Sequence, residues 1–150
     1  MMKLLNRSFR RSIFVPAALL AIALEVGTAQ AQTAIYSPIA LPGSREITDQ
    51  LSEQDIPTGF GGYARDYTVY LEEGDQVAID VISSEFDTLV TLMSPAGITV
   101  GENDDGPDGS TNSLLFARIT QSGTYTVRIR AYAGQGSGEF LLKVARLRPI

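Results

Sequence analysis

The sequence has 150 residues, with 12 Lys and Arg against 17 Asp and Glu, and no histidine or cysteine anywhere. Those absences exclude disulfide staples, Ser-His-Asp and Cys-His catalysis, and zinc sites built on imidazole or thiolate. The net charge of −5 argues against nucleic acid or anionic lipid as partners, because both would be repelled.

The chain opens with a targeting pattern. Lys3, Arg7, Arg10 and Arg11 form a basic lead-in, Ile13 to Leu24 is apolar, and Ala29-Gln30-Ala31 supplies the small-x-small cleavage pattern. The apolar run is too short to span a bilayer comfortably, and Pro16 and Glu25 weaken it further as an anchor. It therefore predicts a cleavable signal peptide over 1–31, cut after Ala31, and a periplasmic or secreted product with no membrane span. No cysteine follows to carry a lipid. Residues 32–150 then hold eight basic and sixteen acidic residues, a net charge of −8. At 119 residues they suffice for one domain with a real core.

Residues 32–43 contain two prolines and no periodicity, and read as a flexible leader. The domain is expected over 44–147, where the pattern is period two almost throughout. Arg45–Ser52 is a first strand, "DIPTGFGGY" (Asp55–Tyr63) a glycine-rich loop, and Asp66–Leu71 a strand with Tyr67, Val69 and Leu71 on one face. After the turn at Glu72–Asp75, Val77, Ile79 and Val81 share the next inward face, with Asp80 outward. Phe86–Met93 is more continuously apolar, as for a strand covered on both sides, and Ser94–Gly97 is a proline–glycine turn. Ile98–Gly101 and Leu114–Ile119 flank an acidic loop. Tyr125, Val127 and Ile129 then alternate with Thr124, Thr126, Arg128 and Arg130, and Phe140, Leu142 and Val144 form the last inward face. About eight short strands with turns every eight to twelve residues predict an all-β fold, an antiparallel β-sandwich or barrel.

The order of several segments is distinctive: Asp66-Tyr67 before a strand, Gly74-Asp75-Gln76-Val77, then "SSEFDTLVTLMSPAG". "ENDDG", Asn112-Ser113 and "SGTYTVRIRAYAGQGSGEFLLKV" follow. Over Ser44 to Val144 the chain resembles the bacterial pre-peptidase C-terminal domain, a module found behind the catalytic domains of secreted peptidases. The resemblance implies a jelly-roll-like β-sandwich related to the collagen-binding modules of clostridial collagenases. Such domains usually accompany a protease and none is encoded here, so neither a peptidase-associated role nor collagen binding is carried over.

Four features compete for a functional role. In the loop "GENDDGPDGSTNS", Asn103, Asp104, Asp105, Asp108 and Asn112 supply oxygens of the kind calcium prefers. The EF-hand spacing fails, since the twelfth position is Leu114 or Leu115 rather than glutamate. A polar turn that bonds its own backbone is the competing reading. Asp87, at the head of an apolar run, is either a backbone cap or a further ligand to the same cation. Tyr63, Tyr70 and Tyr132, with Phe60, form an aromatic platform or simply suit a half-buried pleat. Arg128 and Arg130 share an outward face and are expected to meet acids such as Asp80 across the sheet.

These readings predict no enzyme but an exported, non-catalytic binding or accessory module with calcium as its only candidate cofactor. Its partner is expected outside the cytoplasm: a protein, a secreted peptidase among them, or a polysaccharide. The alternatives are a small carboxylate-based hydrolase and a structural subunit of a surface assembly.

Overall fold

A computed structural model describes residues 36–107 and 109–147. The expected signal peptide, the first four residues of the expected leader, Asp108 and residues 148–150 lie outside the described residues. The described residues form ten strands: β1 (Ile39–Ala40), β2 (Glu46–Leu51), β3 (Ile56–Pro57), β4 (Tyr63–Leu71) and β5 (Gln76–Ile82). Then come β6 (Thr88–Met93), β7 (Thr99–Asn103), β8 (Ser113–Arg118), β9 (Gly123–Ala131) and β10 (Gly138–Leu147). Among the described residues no helix is long and apolar enough to cross a membrane.

Two sheets face each other. The larger has the order β1-β4-β9-β6-β7, with β3 also paired to β4, and the smaller has the order β2-β10-β5-β8. The expected β-sandwich is borne out. Its core follows the alternation: Tyr67, Val69 and Leu71 of β4 and Tyr125, Val127 and Ile129 of β9 are buried from one sheet. Val77, Ile79 and Val81 of β5 and Phe140, Leu142 and Val144 of β10 meet them from the other. Phe140 packs edge-on against Tyr67 and Phe86, with ring centroids 6.1 and 6.3 Å away.

Two departures from the sequence reading have local causes. Part of the leader is a strand, because Ile39 and Ala40 run parallel to Tyr67 and Thr68 on β4, and Ile39 and Leu41 pack against the core. The glycine-rich loop also begins as a strand, with Ile56 and Pro57 opposite Ala64 and Tyr63. Both strands are two residues long and sit on the edge of β4, where a proline missing its N–H does no harm.

Between the sheets Arg65 ties three elements together. Its Nε donates to Asp49 of β2 at 2.9 Å and to the Tyr67 hydroxyl at 3.2 Å, and its Nη1 donates to Asp55. The Tyr67 hydroxyl donates to the same Asp49 oxygen at 2.8 Å. Burial works against the Asp49 carboxylate, but hydrogen bonds from the Gln50 N–H, Tyr67 and Arg65 outweigh it and hold its pKa below the ordinary 3.8. Burial, then the bond to Asp49, pushes the Tyr67 phenol well above its ordinary 10.0.

The signs define a pH window. Asp49 contributes stability that is present above the ordinary carboxylate pKa and lost as pH falls through its depressed folded value. Tyr67 contributes stability that is present below pH 10.0 and lost as pH rises toward its raised folded value. Urea midpoints are expected to stay level between these limits and to fall on both sides, with Tyr67→Phe flattening the alkaline fall. A midpoint still level well above pH 10.0 in the wild type contradicts this account.

Candidate functional site

Three loops that cross from one sheet to the other meet at one end of the sandwich and bring most of the sequence candidates together. The Thr88 N–H donates to Thr111 O, and the Ser83 N–H donates to the Asn112 side chain at 3.0 Å. The Tyr132 N–H donates to Asp87 O at 2.8 Å. Asp87, Asn103, Asp104, Asp105 and Asn112 therefore lie on adjoining loops. Asp87 is half-buried, and only its backbone takes part in that link.

The two asparagines hold the acidic loop in shape. Asn103 Nδ2 donates to Asp105 O at 2.8 Å and to Leu114 O at 2.9 Å, bridging the start and finish of the loop. Its Oδ1 accepts from the Asp105 N–H, as the Asn112 oxygen accepts from Ser83. Calcium takes six to eight oxygens, and both amide oxygens are here engaged by backbone. Among the described residues no group of three acidic side chains stands close enough together to hold a metal ion. The described part of the loop thus has the bonding of a polar turn. Asn103→Ala is expected to cost about 1–3 kcal/mol by freeing two backbone carbonyls, equally in chelator and in millimolar calcium. A melting temperature that rises with calcium in the wild type, and not after Asp104→Asn with Asp105→Asn, would instead establish an ion site.

The aromatic platform is divided. Tyr63 is half-buried and packs against the core. Tyr70 lies seven residues farther along β4, roughly 23 Å away at strand rise. Phe60 and Tyr132 remain on touching loops. Gly62 and Gly134 both have positive φ, and a Cβ on Gly62 would come within 2.7 Å of Gly134 O. Only glycine permits this approach. It buttresses the loop carrying Phe60, a residue that is 91% exposed.

Phe60 overhangs an open groove of about 270 Å³ on the outer face of the larger sheet. Its floor carries Thr91, Glu102, Arg128 and Arg130, part of a polar row that begins at Asp66, which is buried behind Arg128 and does not line the groove. Asp66 of β4 stands in register with Arg128 of β9, Arg128 with Thr91 of β6, and Thr91 with Glu102 of β7. Arg128 grips Asp66 with two bonds of 2.8 Å, and the Asp66 side chain is wholly buried. That hydrogen bond raises the Arg128 pKa, against the opposing pull of burial. Glu102 Oε2 accepts from the Thr91 hydroxyl at 2.6 Å and from Arg130 Nη2 at 3.2 Å.

The expectation that these arginines meet Asp80 is corrected. Asp80 lies on the other sheet, opposite Lys143 and Leu114, because β5 and β9 belong to different layers. Nothing local in the sequence marks Asp66 or Glu102 as the partners of these arginines. The one signal for Asp66 was its even parity on β4, shared with outward Tyr70.

Comparisons with known proteins agree with this architecture. Residues 63–131 match the family model of the bacterial pre-peptidase C-terminal domain, so the resemblance read from the sequence is borne out. The solved pre-peptidase C-terminal domain of collagenase from Bacillus anthracis superposes with a TM-score of 0.53 at 13% identity, covering 73% of this chain and 93% of that one. PliG of Aeromonas hydrophila, a periplasmic inhibitor of g-type lysozyme, gives 0.52 at 15% identity, covering 74% and 96%. PliG of Salmonella Typhimurium gives 0.50 at 10%, covering 75% and 100%. At these identities the likeness to solved structures is one of fold. No curated protein sequence matches significantly.

Proposed function

We propose that this chain, which carries the match to a bacterial pre-peptidase C-terminal domain over residues 63–131, is an exported, non-catalytic binding module. It acts outside the cytoplasm on a protein or polymer partner. The observation that carries this reading is Phe60, a large apolar ring held 91% exposed on a buttressed loop beside the groove. Exposing a ring in this way costs solvation with no return in folding, and aromatic anchors of this kind dominate the energetics of recognition. The sequence contributes the export pattern and the lack of histidine and cysteine. Support from the fold is of the same kind: in PliG this sandwich serves as a periplasmic inhibitor, and in the collagenase it stands as a domain of a larger enzyme.

The test is a panel of immobilised envelope proteins, g-type lysozyme, matrix proteins and polysaccharides, run beside a hydrolase screen. Saturable binding to one class, lost in Phe60→Ala with the melting temperature unchanged, is the expected result. Turnover of any hydrolase substrate, or no binding across the panel, refutes the reading.

A further inference from the structure

We infer that the groove beneath Phe60 is a subsite for a neutral carbohydrate chain, an inference that rests on the binding-module reading and names its ligand class. Three properties of the groove select the ligand. The first is charge. Arg128 is matched by Asp66 and Arg130 by Glu102, so the floor offers no net charge to an ion. An anion would also approach a chain whose residues 32–150 carry −8. Neutral ligands meet no such barrier.

The second property is unspent hydrogen bonding of both kinds. A guanidinium has five N–H donors. Arg128 spends two on Asp66 and Arg130 spends one on Glu102; the others have no acceptor among the described residues. Glu102 keeps Oε1 as an acceptor, and exposed Thr99 adds a hydroxyl at the rim. The bidentate grip of Asp66 holds Arg128 in place before any ligand arrives. Vicinal hydroxyls, each both donor and acceptor, match such a mixed and pre-oriented floor. The apolar rim of Phe60, Pro57, Ile56 and Met93 suits the C–H face of a sugar ring.

The third property separates sugar from peptide. An extended peptide gains most of its affinity by adding to a free sheet edge. The groove floor is mostly the face of β9 and β6, which are paired on either side, and only β7 at its rim has a free edge, which faces away from the groove's centre. A peptide strand laid across β9 and β6 finds no backbone partner there. The volume of about 270 Å³ is near the lower limit of roughly 300 Å³ for small-ligand pockets. It accommodates a short stretch of a chain that continues across the open face.

The experiment is an amide and arginine side-chain NMR titration of the protein. The probes are neutral tetrasaccharides (β-1,4-glucose, α-1,4-glucose and β-1,4-N-acetylglucosamine), an acidic tetragalacturonate and a neutral hexapeptide. At least one neutral tetrasaccharide is expected to shift β9, β6 and the Arg128 and Arg130 Nε–H signals. Phe60→Ala should weaken it about tenfold and Phe60→Tyr should retain it, both with unchanged melting. Shifts with tetragalacturonate or the hexapeptide alone would overturn the carbohydrate assignment and leave the binding-module reading intact. No shift with any neutral tetrasaccharide overturns it as well, and the immobilised panel then decides separately whether the protein binds anything.

Discussion

Replacing Arg128 with alanine is expected to destabilise the protein by about 3–5 kcal/mol, the usual loss when one member of a buried ion pair is removed. The cause is the charge left behind. The Asp66 side chain has no exposure to solvent, and both of its oxygens are satisfied by Arg128 at 2.8 Å. Without the guanidinium it keeps only its hydrogen bond with the Tyr36 hydroxyl and no cation to balance it. A domain of this size is stable by only about 5–15 kcal/mol, so a melting temperature lower by on the order of ten degrees or more is expected. Removing both charges, as in Asp66→Leu with Arg128→Met, should restore much of the loss, because hydrophobic replacement of a buried pair is often near neutral. Thermal and urea unfolding of the two variants measures this. A loss below about 1 kcal/mol for Arg128→Ala would mean that water reaches Asp66, and the groove floor would then not be pre-oriented.

Truncating Ile129 to alanine should cost on the order of 2–5 kcal/mol through lost burial and the cavity that remains. Ile129 has no exposed surface and stands in the cluster with Val77, Ile79 and Val81 of the facing sheet. No disulfide backs up this core, since the chain has no cysteine, so the loss is borne by packing alone. The neighbour Arg130 offers a control on strand parity. It points outward on the same strand and is part exposed, and its ion pair with Glu102 is of the kind worth about 0–1 kcal/mol. Urea unfolding of Ile129→Ala and Arg130→Ala should therefore differ severalfold. Equal losses would place the alternation of β9 in doubt.

Much of the fold was legible because it depends on local order. The alternation of Tyr125, Val127 and Ile129 with Thr126, Arg128 and Arg130 states which side of β9 is buried, whatever strand lies opposite. The apolar run in Phe86–Met93 indicated a buried strand, as β6 is from Thr88 to Leu92, although no third layer covers it and its outer face lines the open groove. The two-residue strands β1 and β3 were not legible, because a pair of residues has no period and gains its order only from the edge of β4.

The candidate site divides along the same line. That the chain lacks the groups for most hydrolytic chemistry, and that Arg128 and Arg130 face outward together, followed from the residues alone. Which acids they meet did not. Asp66 lies 62 residues from Arg128 in sequence, and Glu102 lies 28 from Arg130. Parity says that each points outward, yet sheet order and register decide which outward residues become neighbours. Asp80 has the same outward parity on β5 and is placed in the other layer. The row from Asp66 to Glu102 exists only because β4, β9, β6 and β7 lie side by side in that order, an outcome of nonlocal strand pairing that no stretch of the sequence encodes by itself.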